Sequence, residues 1–177
     1  MGLISNGTTI LDNGSLSSGI GGKVLQVVQT AWDDTLQVTV SQSYSQIAAL
    51  NTNITCSSTS SKVLIEGTVY VSPAAATNPF PAIRLTKGGS VISDAIGNSS
   101  GSRKTVTGAT GRAAGDDTNN ITVISFSYLD SPSSTSQLTY GMQLIAYGNR
   151  TVNVNFTGTS GEVGAATIST ITLTEIA

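Results

Sequence analysis

The chain contains no histidine, which removes the most common general base and the most common metal-ligating side chain together. No Ser-His-Asp or Cys-His relay can form within one chain, and no imidazole-bearing zinc site either. The single cysteine, Cys56, excludes an intrachain disulfide and a thiolate cluster, and reads as a small core residue. Charge is scarce as well. Eight basic and ten acidic residues make 10% of 177 positions, against about 25% in an ordinary domain. A net charge of −2 argues against capture of nucleic-acid phosphates. No run of 18 apolar residues is present, so no membrane-spanning helix is expected. Phosphate loops are missing, the serines have no histidine to act as their base, and Gly19-x-Gly21 precedes no helix, so no cofactor is expected.

What fills the chain instead is hydroxyl. There are 25 serines and 25 threonines, with 19 glycines and 11 asparagines, residues that favour turns and strand surfaces. Low charge then has two readings, a hydroxyl-coated surface or a surface covered by other subunits. The two are compatible, because permanent interfaces deplete charge.

Two regions differ in pattern. In residues 1–22 the apolar pairs Leu3/Ile4 and Ile10/Leu11 alternate with the turn dipeptides Asn6-Gly7 and Asn13-Gly14. This segment lacks the basic start and continuous apolar core of a secretory signal, and is expected to be a short extended attachment arm. Residues 23–177 form the second region, and period-2 alternation dominates it. Leu36, Val38 and Val40 alternate with polar neighbours, as do Ile124, Phe126 and Tyr128. The same holds for Leu138 to Leu144, Val152 to Phe156, and Ile171 with Leu173. Each predicts a strand with one buried face and a hydroxyl or amide face outward. Lys23 to Ala31 and Lys62 to Val71 are more continuously apolar and read as central strands covered on both faces. Gln46 to Leu50 is the only helical turn expected. Eight to ten strands with no crossover helix predict an all-β domain, a jelly-roll-like β-sandwich given the long connections. Immunoglobulin-like and barrel topologies stay open on composition alone.

Few constellations carry chemistry. Asp33-Asp34 and Asp116-Asp117 lack the spacing of a calcium loop and read as turn residues. Arg103, Lys104 and Arg112 form the only basic cluster, a solvated loop or a contact for an anionic sugar or for a neighbour's Asp116 and Asp117. Trp32 closes a predicted strand and reads as buried or interfacial, with sugar stacking as the alternative. Glu66, Glu162 and Glu175 are too scattered for a glycosidase pair. Neither a catalytic nor a metal site is expected, and the chain is not read as an enzyme.

Four blocks, GKVLQVVQT (22–30), CSSTSSKVLIEGTV (56–69), FSYLDSPSSTSQLTYGMQL (126–144) and ATISTITLTEIA (166–177), together resemble virion structural proteins of tailed bacteriophages of marine and cyanobacterial type. The likeness covers nearly all of residues 22–177. It implies a homotrimeric β-sandwich at the particle surface, a capsid knob or decoration or a tail-fibre domain. The opening MGLISNGTTILDNGSL resembles attachment segments of phage appendage proteins. That implies anchoring to capsid, neck or tail proteins through Leu3, Ile4, Ile10 and Leu11. Long fibres place such a domain on a shaft, and only a 22-residue arm precedes it here, which favours a compact knob. The alternative is a tip that binds a host receptor or surface glycan through Trp32 or the Arg103 to Asp117 loops.

Overall fold

The computed structural model describes residues 3–5, 8–12, 15–16, 23–40, 43–74, 80–110, 118–146, 150–158, 161 and 164–177, the first three segments and Val40 by backbone alone. The chain is all-β. Its strands are β1 (Leu3–Ser5), β2 (Thr8–Asp12), β3 (Ser15–Leu16), β4 (Val24–Trp32), β5 (Leu36–Val40), β6 (Ser45–Gln46), β7 (Thr52–Thr55) and β8 (Lys62–Pro73). There follow β9 (Pro81–Lys87), β10 (Ser90–Val91), β11 (Gly108–Ala109), β12 (Thr122–Asp130), β13 (Gln137–Ala146), β14 (Arg150–Val154) and β15 (Ser169–Ile176). A single 3-10 turn at Ala48–Leu50 separates β6 from β7, within the segment expected to be helical, and a second lies at Ser93–Ala95.

β1, β2 and β3 do not form an extended arm. They pair with one another as an antiparallel sheet, with no strand pairing to the other described residues. The reason is in the sequence. Ser5 pairs with Thr8 and Asp12 with Ser15, across two-residue gaps occupied by Asn6-Gly7 and Asn13-Gly14, the dipeptides that favour tight hairpins.

The remaining strands build two antiparallel sheets packed face to face. In one, β8 pairs with β12 along one edge and with β15 and then β14 along the other; β15 and β14 in turn pair with β4 and β5. In the second, β13 lies between β9 and the broken strand β6–β7, while β10 and β11 share the far edge of β9. Twelve segments thus collapse into eight rows, four per sheet. Between them lie Val63, Ile65, Val69 and Val71 of β8, Phe126 of β12, and Ile171 and Leu173 of β15. Facing these are Ile83, Leu85, Tyr140, Met142 and Leu144 of β9 and β13. Each such aliphatic side chain stabilises the fold by about 1.5–3 kcal/mol. Phe126 fits because its register partner is Gly67. A Cβ there would collide with the carbonyl oxygen of Thr170 and lie 2.7 Å from Phe126 Cζ.

Two sequence expectations fail in instructive ways. β8 is central but its outer face, at Leu64, Glu66 and Thr68, is not covered. Among the described residues β4 pairs with β15 alone and is an outer row, and Val24 and Val27 on it are exposed. Asn153 and Asn155 are not the exposed amides that alternation suggests; both are fully buried. Asn153 donates from Nδ2 to Ser72 Oγ (3.3 Å) and Pro73 O (3.4 Å) and accepts from Gln37 Nε2 at 2.9 Å.

Asn155 ends β14 in the left-handed region, φ 68°, a conformation asparagine tolerates better than most residues. From there its Nδ2 donates to Trp32 O (2.8 Å) and Asp34 O (3.0 Å), and its Oδ1 accepts from Ser169 Oγ at 2.5 Å. One amide therefore ties the ends of β4 and β14 to the start of β15. Phe156, expected to continue the strand, instead makes an isolated bridge to Ala166.

Candidate functional site

Two surface features stand out, an outer face of the β4 sheet with little charge and a cavity on the outer face of the β13 sheet. The first follows from register. Leu129, Leu64, Thr174 and Val27 lie side by side across four strands. The next rows are Ser127, Glu66, Thr172 and Gln29, then Ser125, Thr68, Thr170 and Ala31. Glu66 is the only charged residue in these three rows. Val27 is 59% exposed, Leu129 44% and Val24 57%, so β4 carries apolar side chains beside an edge with no strand partner among the described residues. An unpaired, uncharged, apolar edge is an association template.

The cavity holds about 440 Å³. Its floor comes from paired strands: Ala82 of β9 faces Ile145 of β13 on one side and Ala109 of β11 on the other. Val106 and Phe80 line the walls, and Ser102, Arg103 and Lys104 the rim. Backbone bonds fix the overlying segment, Gly97 N–H to Val106 O (3.1 Å) and Thr107 N–H to Ile83 O (2.8 Å). Tyr44 buttresses it by donating its hydroxyl to Thr105 O at 3.1 Å while its ring stacks 3.5 Å from the Arg84 guanidinium carbon. Burial pushes the Tyr44 phenol upward, with Arg84 opposing. Arg84 Nε is spent on Gln143 Oε1 at 2.7 Å. Arg103 and Lys104 are exposed and have no ion-pair partner among the described residues; the pair Lys87–Asp130 is the one found there.

Buried polar groups have structural explanations. Glu175 is fully buried, and accepts from Gln26 Nε2 at 2.6 Å and from Ser57 N–H, Ser57 Oγ and Ser61 Oγ at 2.7 Å each. Burial works to raise its carboxyl, but the four donors win and hold it down at about 2. Asp130 accepts from Tyr140 Oη at 2.5 Å and Lys87 Nζ at 2.8 Å. Burial first, and then this bond to Asp130, pushes the Tyr140 phenol far above its ordinary value. The L-D-S-P corner and the following T-Y strand are thus joined by one hydrogen bond inside the fold. Neither carboxylate faces a cleft with a second one, and no group of three or more metal-ligating side chains occurs among the described residues.

Of the residues singled out in the sequence, the structure brings Arg103 and Lys104 together at the cavity rim. Trp32 is half-buried against the core, so its indole is not a free platform. Cys56 is buried, and burial raises its thiol. Leu3, Ile4, Ile10 and Leu11 lie in β1 and β2, but their side chains are outside the described residues, as are Arg112, Asp116, Asp117 and Glu162 entirely. Sequence reasoning missed Phe80, Ala82 and Ile145. Only Phe80 carried a signal, a large apolar residue between Pro79 and Pro81 in a loop otherwise built of small residues.

No family model matches the chain, and no curated protein does. Among solved structures, it is similar to infectious bursal disease virus strain Gx, at 12% identity and TM-score 0.40, over 99% of this chain and 45% of that one. T=1 particles derived from infectious bursal virus match at 12% identity and TM-score 0.39, over 99% and 42%. The VP2 subviral particle of infectious bursal disease virus matches at 12% identity and TM-score 0.37, over 92% and 40%. The chain spans less than half the length of each.

Proposed function

We propose that the protein is a virion structural protein, a homotrimeric surface knob or decoration attached to capsid or tail through residues 1–22. The observation that carries this reading is the outer face of the β4 sheet, apolar at Val24, Val27 and Leu129 and almost without charge. A second subunit would remove that edge from water and replace the charges that ordinarily keep monomers apart. The strand order supports a jelly roll. Rows run β4, β15, β8, β12 in one sheet and β7, β13, β9, β10 in the other, which is the alternation that two interlocked Greek keys produce. The independent sheet β1–β2–β3 supports an attachment element that need not disturb the sandwich. The resemblance of the four sequence blocks to phage virion proteins supplies the particle.

Mass measurement by light scattering tests the assembly. Three copies of 18.0 kDa are expected, and Val27→Lys, which places charge at the centre of the exposed edge, should shift the population to monomer with an unchanged circular dichroism spectrum. A wild-type protein that stays monomeric at micromolar concentration overturns the reading. A second reading, binding of a host-surface glycan, is favoured by the cavity under Arg103 and Lys104.

A further inference from the structure

We infer that this cavity is a binding site for an acidic sugar, a monosaccharide unit bearing a carboxylate or sulfate. The inference deepens the glycan-binding reading and rests on it.

Three properties converge. The cavity, about 440 Å³, falls within the range of small-ligand sites. Its floor is apolar and rigid, because Ala82 and Ile145 belong to registered central strands and are almost fully buried. A pyranose ring presents one face of C–H groups, which needs such a floor, and Phe80, 40% exposed, gives an aromatic wall for the same face.

Charge then selects among sugars. Arg103 and Lys104 stand at the rim with no carboxylate partner among the described residues, in a chain whose net charge is negative. Arg103 is not loose. Its Nη1 donates to Ser100 Oγ at 3.2 Å, and its backbone N–H to Ser100 O at 3.3 Å in the turn containing Gly101. Arg84, held beneath Tyr44, adds a third positive charge on the same sheet face. A guanidinium and an ammonium side by side suit a bidentate anion, while Ser102 offers a hydroxyl for the sugar edge. A long aliphatic acid would need an enclosed tunnel. This site opens on the outside of a sheet, where a terminal sugar can enter from solvent.

Titration of the full chain, 13C-labelled at Ala and Ile methyls, with glucuronate, N-acetylneuraminate, glucose 6-sulfate and glucose tests the inference. Acidic sugars should give saturable shifts at Ala82, Ala109 and Ile145, at least tenfold tighter than glucose. The double change Arg103→Ser with Lys104→Ser should weaken them at least tenfold, and Phe80→Ala should weaken acidic and neutral sugars alike. Both cations are exposed, and an unchanged methyl spectrum away from the cavity verifies folding. Equal response to glucose, equal response to inorganic sulfate alone, no saturation, or an unaffected double variant overturns it. Mass is recorded on the same samples. A trimer that binds no acidic sugar sinks the ligand inference and leaves the assembly reading standing, whereas a monomer that binds does the reverse.

Discussion

Replacing Glu175 with Gln asks whether a buried carboxylate near the end of β15 stabilises the sandwich. The side chain changes little in size, but the hydrogen bonding cannot be reproduced. Oε1 receives three donors and Oε2 receives Gln26 Nε2. An amide keeps one oxygen for the three donors and turns an NH2 group toward Gln26 Nε2. Gln26 cannot simply rotate, because the same nitrogen donates to Thr55 O at 2.7 Å. A carboxyl held at about 2 instead of 4.5 contributes at most about 3.4 kcal/mol above the unfolded value. Solvent reaching the exposed Ser57 and Ser60 screens part of this, leaving about 2 kcal/mol. The sign follows from the depressed folded value. The contribution is fully present above pH 4.5 and is lost as pH falls toward 2. Urea unfolding followed by Trp32 fluorescence, at one fixed protein concentration so that any association weighs equally on both proteins, should show Glu175→Gln about 2 kcal/mol less stable at pH 7. That gap should close steadily between pH 4.5 and 2, while every other carboxylate cancels in the difference. Parallel loss of stability by both proteins across that window, or equal stability at pH 7, refutes the reasoning.

Other residues give further expectations. Gly67→Ala drives a methyl into the Thr170 carbonyl and the Phe126 ring. It should cost about 3 kcal/mol or more, and Phe126→Leu in the same chain should recover part of the loss by thermal melting. Asn155→Ala removes three hydrogen bonds and keeps the left-handed backbone. It should cost about 3 kcal/mol, and Asn155→Gly about 1 kcal/mol less than that, the two compared by chemical denaturation. Tyr140→Phe and Asp130→Asn, combined in a double-mutant cycle, should show a coupling of about 1–2 kcal/mol in urea. Deleting residues 2–22 should leave a folded trimer that no longer joins particles, read by sedimentation with purified particles.

Much of the architecture was readable from alternation alone. Ile124, Phe126, Val152, Val154, Ile171 and Leu173 point inward as period 2 requires, whereas the Asn-Gly dipeptides signalled turns but not that β1, β2 and β3 pair into a sheet. What failed did so for non-local reasons. An apolar run such as VLQVV reads the same in a central strand and in an outer row, because hydrophobicity does not say what, if anything, lies beside it. Asn153 and Asn155 looked like surface residues; their burial depends on Ser72, Gln37 and Trp32, far away in sequence. Glu175 showed nothing at all until the Ser57–Ser61 turn was folded over it. At the cavity, Arg103 and Lys104 were visible as charge, but the floor of Ala82 and Ile145 exists only once β9 and β13 are in register.

The position of β15 has a bearing on synthesis. It lies between β8 and β4, and among the described residues β4 pairs with no other strand. At roughly 5–20 residues per second, a ribosome finishes β4 on the order of ten seconds before Ser169 to Ile176 are made. Throughout that interval Val24, Val27 and Trp32 belong to an unpaired ribbon emerging from the exit tunnel. Gln26, Gln29 and Thr30 interrupt the apolar residues of that ribbon, so the polar positions of the finished strand also break up its apolar surface while the chain is still being made.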